Sequence, residues 1–158
     1  MKLRLLFSII AATAFLISPS SLPAADAAAP RVVKIRAGVE NAMKFDVTRI
    51  EATPGESLKI VLTNAGNLPK NVMGHNWVLL VAGTDPLAFA AAAAPEVANG
   101  YIPEKQKEKI VAFIALLGPS ETGEANFKAP TEPGEYPFLC TFPGHSATGM
   151  KGVLVVKK

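Results

Sequence analysis

Short apolar segments, separated by turn-forming residues, make up most of the chain after residue 30. Within these segments apolar and polar residues tend to alternate, a pattern typical of half-buried strands. The pattern predicts about eight strands, over residues 31–37, 44–52, 57–63, 76–81, 109–117, 123–128, 135–140 and 151–157. Periodicity alone leaves residues 109–117 ambiguous, because the segment also contains good helix formers. Its β-branched and aromatic residues Ile110, Val111 and Phe113 favour a strand.

One segment predicts a helix instead. Asp85 suits the position that caps a helix, Pro86 suits the first helical position, and residues 87–94 are almost all alanine. Pro95 and Gly100 limit its length. We expect a small helical insert that packs on the edge of a sheet. A charged surface loop is expected after it, over residues 101–108.

Many short strands and a single helix predict an all-β sandwich. The chain has 158 residues, which is the length of one domain and enough to bury a core without disulfides. No internal repeat and no second domain are evident. The expected division is a leader over residues 1–28 and one domain over residues 29–158.

The leader has the three parts of a secretory signal peptide. Lys2 and Arg4 give a positive start, residues 5–17 are apolar, and residues 18–28 are rich in Pro, Ser and Ala, with cleavage options after Ala25 or Ala28. The apolar run is too short to span a bilayer comfortably, although an uncleaved anchor is the alternative. No cysteine lies near the cut, which excludes a lipoprotein anchor. The protein is therefore expected to be periplasmic or otherwise exported.

Charge excludes some partners. The formal net charge is +3, and cleavage after Ala28 would remove two basic residues and one acidic residue, leaving 14 basic and 12 acidic residues and a charge of +2. Such a mixed, nearly neutral chain indicates no nucleic-acid partner, and contact with a membrane is expected only if the leader is retained. A single free cysteine is a liability in an oxidising compartment, and a bond to a metal would remove that liability.

The candidate chemistry lies in residues 140–150. Cys140, His145 and Met150 follow one another at five-residue intervals, and the only other histidine is His75. Thiolate, thioether and imidazole donors together select copper, and two His with one Cys and a weak axial Met is the arrangement of electron-transfer copper. The alternative for Cys140 is an inert buried thiol, for His145 a surface histidine, for His75 a core histidine and for Met150 a core filler.

Two segments resemble the ligand segments of azurin-type blue copper proteins, the cupredoxins. They are Cys-Thr-Phe-Pro-Gly-His-Ser-Ala, over residues 140–147, and Lys-Asn-Val-Met-Gly-His-Asn-Trp-Val-Leu, over residues 70–79. The resemblance covers roughly residues 31–158 and implies a cupredoxin-type Greek-key β-sandwich, with residues 109–117 as a strand. It departs from azurins in two respects. Four residues separate His145 from Met150, as in auracyanins, where azurins have three, and Cys140 has no partner for the azurin disulfide.

The resemblance also implies roles for residues near the ligands. The carbonyl of Gly74 is expected as a distant fifth contact to copper, and Asn76 is expected to tie the two ligand segments together, the alternative being an ordinary asparagine at a strand start. Trp77 is assigned to the core. An apolar docking face is expected around His145; its members are Leu68, Pro69, Met73, Phe142, Pro143 and Ala147. Ordinary loop packing is the alternative for these six residues.

The resulting hypothesis is a small exported monomer that carries electrons between transient redox partners, with one type 1 copper ion alternating between Cu(I) and Cu(II). It is not expected to be an enzyme, because both histidines belong to this one site and no Gly-x-Ser-x-Gly motif is present. The alternative is a periplasmic copper chaperone or storage protein, although such proteins favour Met-rich or Cys-x-x-Cys sites. Zinc also binds two imidazoles and a thiolate, but it would be an expression artefact.

Overall fold

The computed structural model describes residues 29–158, and the predicted leader lies outside them. In this part of the chain there are eight strands and two α-helices. The strands are β1 (Arg31–Ala37), β2 (Arg49–Ala52), β3 (Ser57–Asn64), β4 (His75–Leu80), β5 (Ile110–Leu117), β6 (Thr122–Lys128), β7 (Gly134–Leu139) and β8 (Lys151–Val156). The helices are α1 (Lys70–Met73) and α2 (Pro86–Ala93), and short 3-10 turns cover Val39–Asn41, Val97–Asn99 and Glu104–Lys109.

Over the same residues the strands form two sheets, which confirms the predicted all-β sandwich of about eight strands. The first sheet has the order β1-β3-β6 and the second has the order β2-β8-β7-β4-β5. In the second sheet β7 runs antiparallel to both of its neighbours, β4 and β8. The end of β7 and the starts of β4 and β8 therefore lie at the same pole of the sandwich.

The core lies between the sheets and follows the alternation in the sequence. In β3, Leu58, Ile60 and Leu62 are fully buried, whereas the residues between them are half-buried. Trp77, Leu79 and Phe138 face them from the second sheet. Strand β4 is buried along its whole length, because Val78 and Leu80 on its other face are covered as well. The core therefore extends directly to the pole at which β4 begins.

The strand predicted over residues 44–52 is wrong in its first half. Phe45 forms an isolated bridge with Ala37 of the first sheet, whereas regular pairing begins only at Arg49, which joins β8 of the second sheet. The segment crosses from one sheet to the other, and a chain that changes sheets cannot keep one continuous ladder. Alternation persists because Phe45 and Ile50 both point into the core.

The predicted helix is confirmed as α2. Asp85 Oδ1 accepts the backbone N–H of Leu87 at 2.8 Å, as expected for the capping residue. Phe89 and Ala93 are the buried residues of the helix, and Phe89 packs with Val78, Leu80 and Leu139. Because β4 and β7 are interior strands of the second sheet, the helix covers the outer face of the sheet. The expected position on a sheet edge is therefore wrong.

Two further expectations need correction. The charged surface loop predicted over residues 101–108 begins later, since Ile102 and Pro103 are buried and Tyr101 is half-buried. Helix α1 is a single turn that the pattern did not predict. None of the helices within residues 29–158 has both the length and the apolar character needed to cross a membrane.

Candidate metal centre

Three strand ends bring the candidate ligands together at one pole. His75 is the first residue of β4, Cys140 directly follows β7, and Met150 directly precedes β8. Cys140 and Met150 are joined across the β7–β8 pair, because the Cys140 N–H donates to the Met150 carbonyl at 3.1 Å. His145 lies in the loop between these two residues. The topology of the second sheet thus explains how residues 65 positions apart become neighbours.

The two histidines and the cysteine form one compact cluster. Their donor atoms all lie within 4.8 Å of one another, and within residues 29–158 this is the one such group of three or more His, Cys, Asp or Glu side chains. Cys140 Sγ lies 3.5 Å from His145 Nδ1, and the two imidazole centroids are 4.9 Å apart. His75 and Cys140 are fully buried, and His145 is only 2 % exposed.

Backbone hydrogen bonds hold the loop that carries His145. The His145 N–H donates to the Phe142 carbonyl at 3.1 Å, and the Met150 N–H donates to the His145 carbonyl at 2.9 Å. Gly149 has a φ of +105°, which residues other than glycine rarely adopt. The four residues between His145 and Met150 are therefore accommodated by a tight turn. Met150 remains fully buried at the end of that turn.

Gly74 is needed for close packing beside His75. A β-carbon at this position would lie 2.5 Å from the Lys70 carbonyl oxygen and 2.9 Å from Leu116 Cγ. The missing side chain therefore accommodates helix α1 and strand β5. This is a packing reason for glycine, separate from any contact between its carbonyl and a metal.

We expect Gly74→Ala to lower the free energy of unfolding by about 1–3 kcal/mol, because the added methyl group is forced against backbone. Chemical denaturation of the metal-free protein measures the change. Gly134→Ala is the matched control, since its β-carbon would meet only Tyr136 Cε2, at 3.7 Å. Equal losses in the two variants would contradict the packing argument.

Burial shifts the pKa of each member of the cluster toward its neutral form. It lowers the pKa of His75 to about 4. It also lowers the pKa of His145 to about 4, with a smaller contribution from His75. Burial raises the pKa of the Cys140 thiol to about 12, although hydrogen bonds from the backbone N–H groups of Asn76 and Phe142 oppose the rise. Both imidazoles are thus neutral at pH 7 and can bind a metal ion through a ring nitrogen. The Cys140 thiol needs a bound cation to lose its proton and become a thiolate.

The cluster fits a soft metal ion. Both ring nitrogens of His75 are buried without a hydrogen-bond partner, which is costly in an interior unless another atom satisfies them. A metal bound by one of these nitrogens would remove part of that cost. Two imidazoles and one thiolate are donors that suit copper.

A buried polar network joins the two ligand segments. The Thr141 N–H donates to Asn76 Oδ1 at 2.8 Å, and Asn76 Nδ2 donates to Thr141 Oγ1 at 2.6 Å. Asn76 follows His75 and Thr141 follows Cys140, so the network fixes the distance between the neighbours of two cluster members. Asn76 was expected to link the two ligand segments by hydrogen bonds, and this is confirmed. The sequence did not predict that Thr141 is its partner.

The expected apolar face around His145 is mixed in exposure. Pro69, Pro143 and Ala147 are exposed, Leu68 and Met73 are half-buried, and Phe142 is buried. Phe142 packs against the His145 ring with centroids 4.7 Å apart, so it belongs to the layer beneath the surface. Val72, which the sequence reasoning left out, is 55 % exposed. It precedes Met73 in α1, and the presence of an apolar residue at this position of the ligand segment was an available signal.

Comparison with known proteins agrees with this geometry. A family model described as copper binding proteins of the plastocyanin/azurin family matches residues 32–157. An azurin of Pseudomonas fluorescens biotype C is 37 % identical over 128 residues, which are 78 % of this chain and 98 % of the azurin. Auracyanin-B of Chloroflexus aurantiacus is 34 % identical over 127 residues, which are 80 % of this chain but only 52 % of the relative. This chain thus spans about half the length of that auracyanin.

A solved structure shows the same fold. Auracyanin A, described as a "blue" copper protein from Chloroflexus aurantiacus, superposes with a TM-score of 0.70 at 32 % identity, over 82 % of this chain and 100 % of the auracyanin. The chain belongs to the plastocyanin/azurin family of copper-binding proteins. Copper is accordingly its cofactor, and His75, Cys140 and His145 are arranged for a metal site.

Proposed function

We propose that the protein is a small exported electron carrier, which exchanges single electrons with other redox proteins through one type 1 copper ion. The observation that carries the proposal is the buried cluster of two imidazoles and one thiol at one pole of the sandwich. This donor set is the one used by blue copper sites. Auracyanin A, which has the same fold, is a "blue" copper protein, and the proposal extends that property to this chain.

In this proposal His75, Cys140 and His145 would hold the copper ion, and the Met150 thioether would be a weak further ligand. The Gly74 carbonyl is proposed as a more distant contact. Cys140 would bind the ion as a thiolate, and the N–H groups of Asn76 and Phe142 would stabilise the negative charge on its sulfur. Bound copper supplies a one-electron Cu(II)/Cu(I) couple.

The residues of the pole keep their positions while the charge changes. The ligand loop is fixed by the hydrogen bonds among Cys140, His145 and Met150, and the Asn76–Thr141 network fixes the second ligand segment to the first. Ligands that are held by their surroundings need little rearrangement when an electron arrives. A rigid site of this kind favours electron transfer over copper exchange, which requires an open site.

Electrons are proposed to enter and leave at His145, through an apolar face that is proposed to include the exposed residues Pro69, Val72, Pro143 and Ala147. Redox partners would dock on this apolar face in weak, transient complexes of small area. We propose that the protein works as a monomer, and as a carrier without a catalytic reaction of its own. Both histidines of the chain belong to the cluster, which leaves none for a second, histidine-rich copper centre.

We further propose that residues 1–28 direct export to the periplasm or beyond and are then removed, leaving residues 29–158 as the mature domain. The proposal rests on the order of positive, apolar and small residues in this segment. Mass spectrometry of the protein recovered from the periplasm of an expressing bacterium would identify the first residue.

The test of function is one set of spectra and one voltammogram of the copper-loaded protein. We expect intense visible absorption from the thiolate–Cu(II) pair, a type 1 EPR signal and a reversible voltammetric wave. Met150→Leu should retain the colour but shift the potential, because the axial ligand tunes it. A colourless protein that binds only Cu(I) would favour the chaperone or storage alternative and overturn the proposal.

A further inference from the structure

The segment that follows helix α2 has an unusual backbone next to the copper-binding pole. Gly100 and Tyr101 have φ values of +61° and +64°, both in the left-handed region. A tyrosine rarely adopts this conformation, and such residues are often found at functional sites. The Tyr101 N–H donates to the Glu96 carbonyl at 2.8 Å, and the next residue, Ile102, is buried in the cluster beneath α2. The position of Tyr101 is thus fixed from both sides.

The Tyr101 backbone is bonded to the polar network between the ligand segments. Thr141 Oγ1 donates to the Tyr101 carbonyl at 2.7 Å, while the same hydroxyl accepts Asn76 Nδ2. Asn76 Nδ2 also approaches the Gly100 carbonyl, at 3.4 Å. Because a hydroxyl has one proton to donate, the Tyr101 carbonyl determines which way the Thr141 hydroxyl points.

The Tyr101 side chain makes a second, independent contact. Its ring meets Phe142 edge-on, with centroids 5.1 Å apart, and Phe142 in turn lies 4.7 Å from the His145 ring. Tyr101 also lines a surface groove of about 610 Å³, together with Val97, Ala115 and Leu116. Tyr101 therefore lines an open groove and also contacts Phe142, which packs against the His145 ring.

We propose that Tyr101 is a positioning residue for the copper centre: its carbonyl orients Thr141, and its ring excludes water from the Phe142 side of His145. The segment that follows α2 then shields one side of the site, while α2 itself covers the sheet. This inference rests on the proposed function, since it assigns Tyr101 to the site that holds copper. Water that reaches the site favours the more highly charged Cu(II), so loss of the ring lowers the reduction potential.

The test compares variants of the two tyrosines of the chain. Tyr101→Leu removes the aromatic contact and Tyr101→Phe keeps it. Tyr136 is the matched control, because it is buried in the core on β7 and its hydroxyl donates to the Glu132 carbonyl. Tyr136 lies roughly 13 Å along the strand from Cys140. Each copper-loaded variant is studied by voltammetry and by the rate of copper loss to a chelator. Thermal unfolding reports the general effect on stability.

We expect Tyr101→Leu to lower the midpoint potential and to speed copper loss several-fold, and Tyr101→Phe to resemble the wild type. Tyr136→Leu should lower the melting temperature and leave the potential unchanged. A wild-type potential in Tyr101→Leu, or the same shift in Tyr136→Leu, would overturn the inference.

The metal-free protein provides a readout that does not depend on electron transfer. Hydrogen exchange of the Thr141 amide, measured by NMR, should be several-fold faster in Tyr101→Leu than in Tyr136→Leu, because loss of the contact between the Tyr101 and Phe142 rings loosens the backbone that binds the Thr141 side chain. If copper-loaded wild-type protein showed no reversible wave, the proposed function would fail while the exchange measurement still tested the contact. If the wild type shows the wave and neither readout responds to Tyr101→Leu, only the inference fails.

Discussion

Cys140→Ser is expected to remove the intense visible absorption of the copper-loaded protein and to abolish its reversible voltammetric wave. The sulfur is fully buried and lies 3.5 Å from His145 Nδ1. A serine hydroxyl fits the same space, but it is a hard donor that does not become an anion as a thiol does. Mutation of a residue that hydrogen-bonds to a metal ligand typically lowers metal affinity by roughly 10- to 100-fold. Because Cys140→Ser removes a ligand itself, we expect a larger fall in copper affinity.

The fold should survive this substitution, because serine and cysteine have similar shapes. Circular dichroism and thermal unfolding of the metal-free variant check that point, and isothermal titration with copper measures the affinity. Met150→Leu is the comparison, since it also alters a buried sulfur but leaves the thiolate in place. Intense colour and a reversible wave in copper-loaded Cys140→Ser would show that the sulfur is not the principal ligand.

The candidate site was accessible from sequence because its chemistry is concentrated in rare residues. The chain has one cysteine and two histidines, so few combinations of metal-binding side chains were possible. The spacing of Cys140, His145 and Met150 already indicated copper. The structure adds what spacing cannot show, namely that β4 and β7 are neighbouring antiparallel strands. That pairing is long-range, and it is what brings His75 to within 4.8 Å of the other two donors.

The parts that the sequence did not reveal depend on tertiary context. The alternation around Phe45 has the period of a strand, but the segment changes sheets, and a pattern of burial does not identify the pairing partner. Tyr101 follows a helix-terminating region and precedes a run of charged residues, so it resembled a surface loop. Its bond to Thr141 joins residues 40 positions apart, and no local signal predicts such a bond.

The second large effect concerns Trp77, the only tryptophan of the chain, which lies two residues after His75 on β4. Because side chains alternate along a strand, His75, Trp77 and Leu79 point to the same side, toward the space between the sheets. Trp77 is fully buried there, with Phe138 at 5.5 Å and Phe127 at 6.1 Å between ring centroids. It thus fills the core directly behind the copper-binding pole.

We expect Trp77→Ala to lower the free energy of unfolding of the metal-free protein by about 3–5 kcal/mol, because a large buried ring leaves a cavity that its neighbours cannot fill. Since the free energy of unfolding of a domain is only about 5–15 kcal/mol, the variant would lose a large fraction of its stability. Denaturant titration followed by circular dichroism measures the change.

Phe113→Ala provides the control for Trp77→Ala, because Phe113 lies on the adjacent strand β5 but is 46 % exposed. Phe113→Ala should lower the free energy of unfolding clearly less than Trp77→Ala does, since folding buries less of the apolar surface of the Phe113 side chain. Trp77→Phe should fall between the two, because it leaves a smaller cavity and removes the indole N–H, which is buried without a hydrogen-bond partner. If Trp77→Ala and Phe113→Ala lower the free energy of unfolding equally, burial behind the pole does not set the stability of this sheet.

A ligand that binds only the folded state adds to its stability. Copper should therefore raise the melting temperature of Trp77→Ala, provided that the copper ligands still lie close together in this variant.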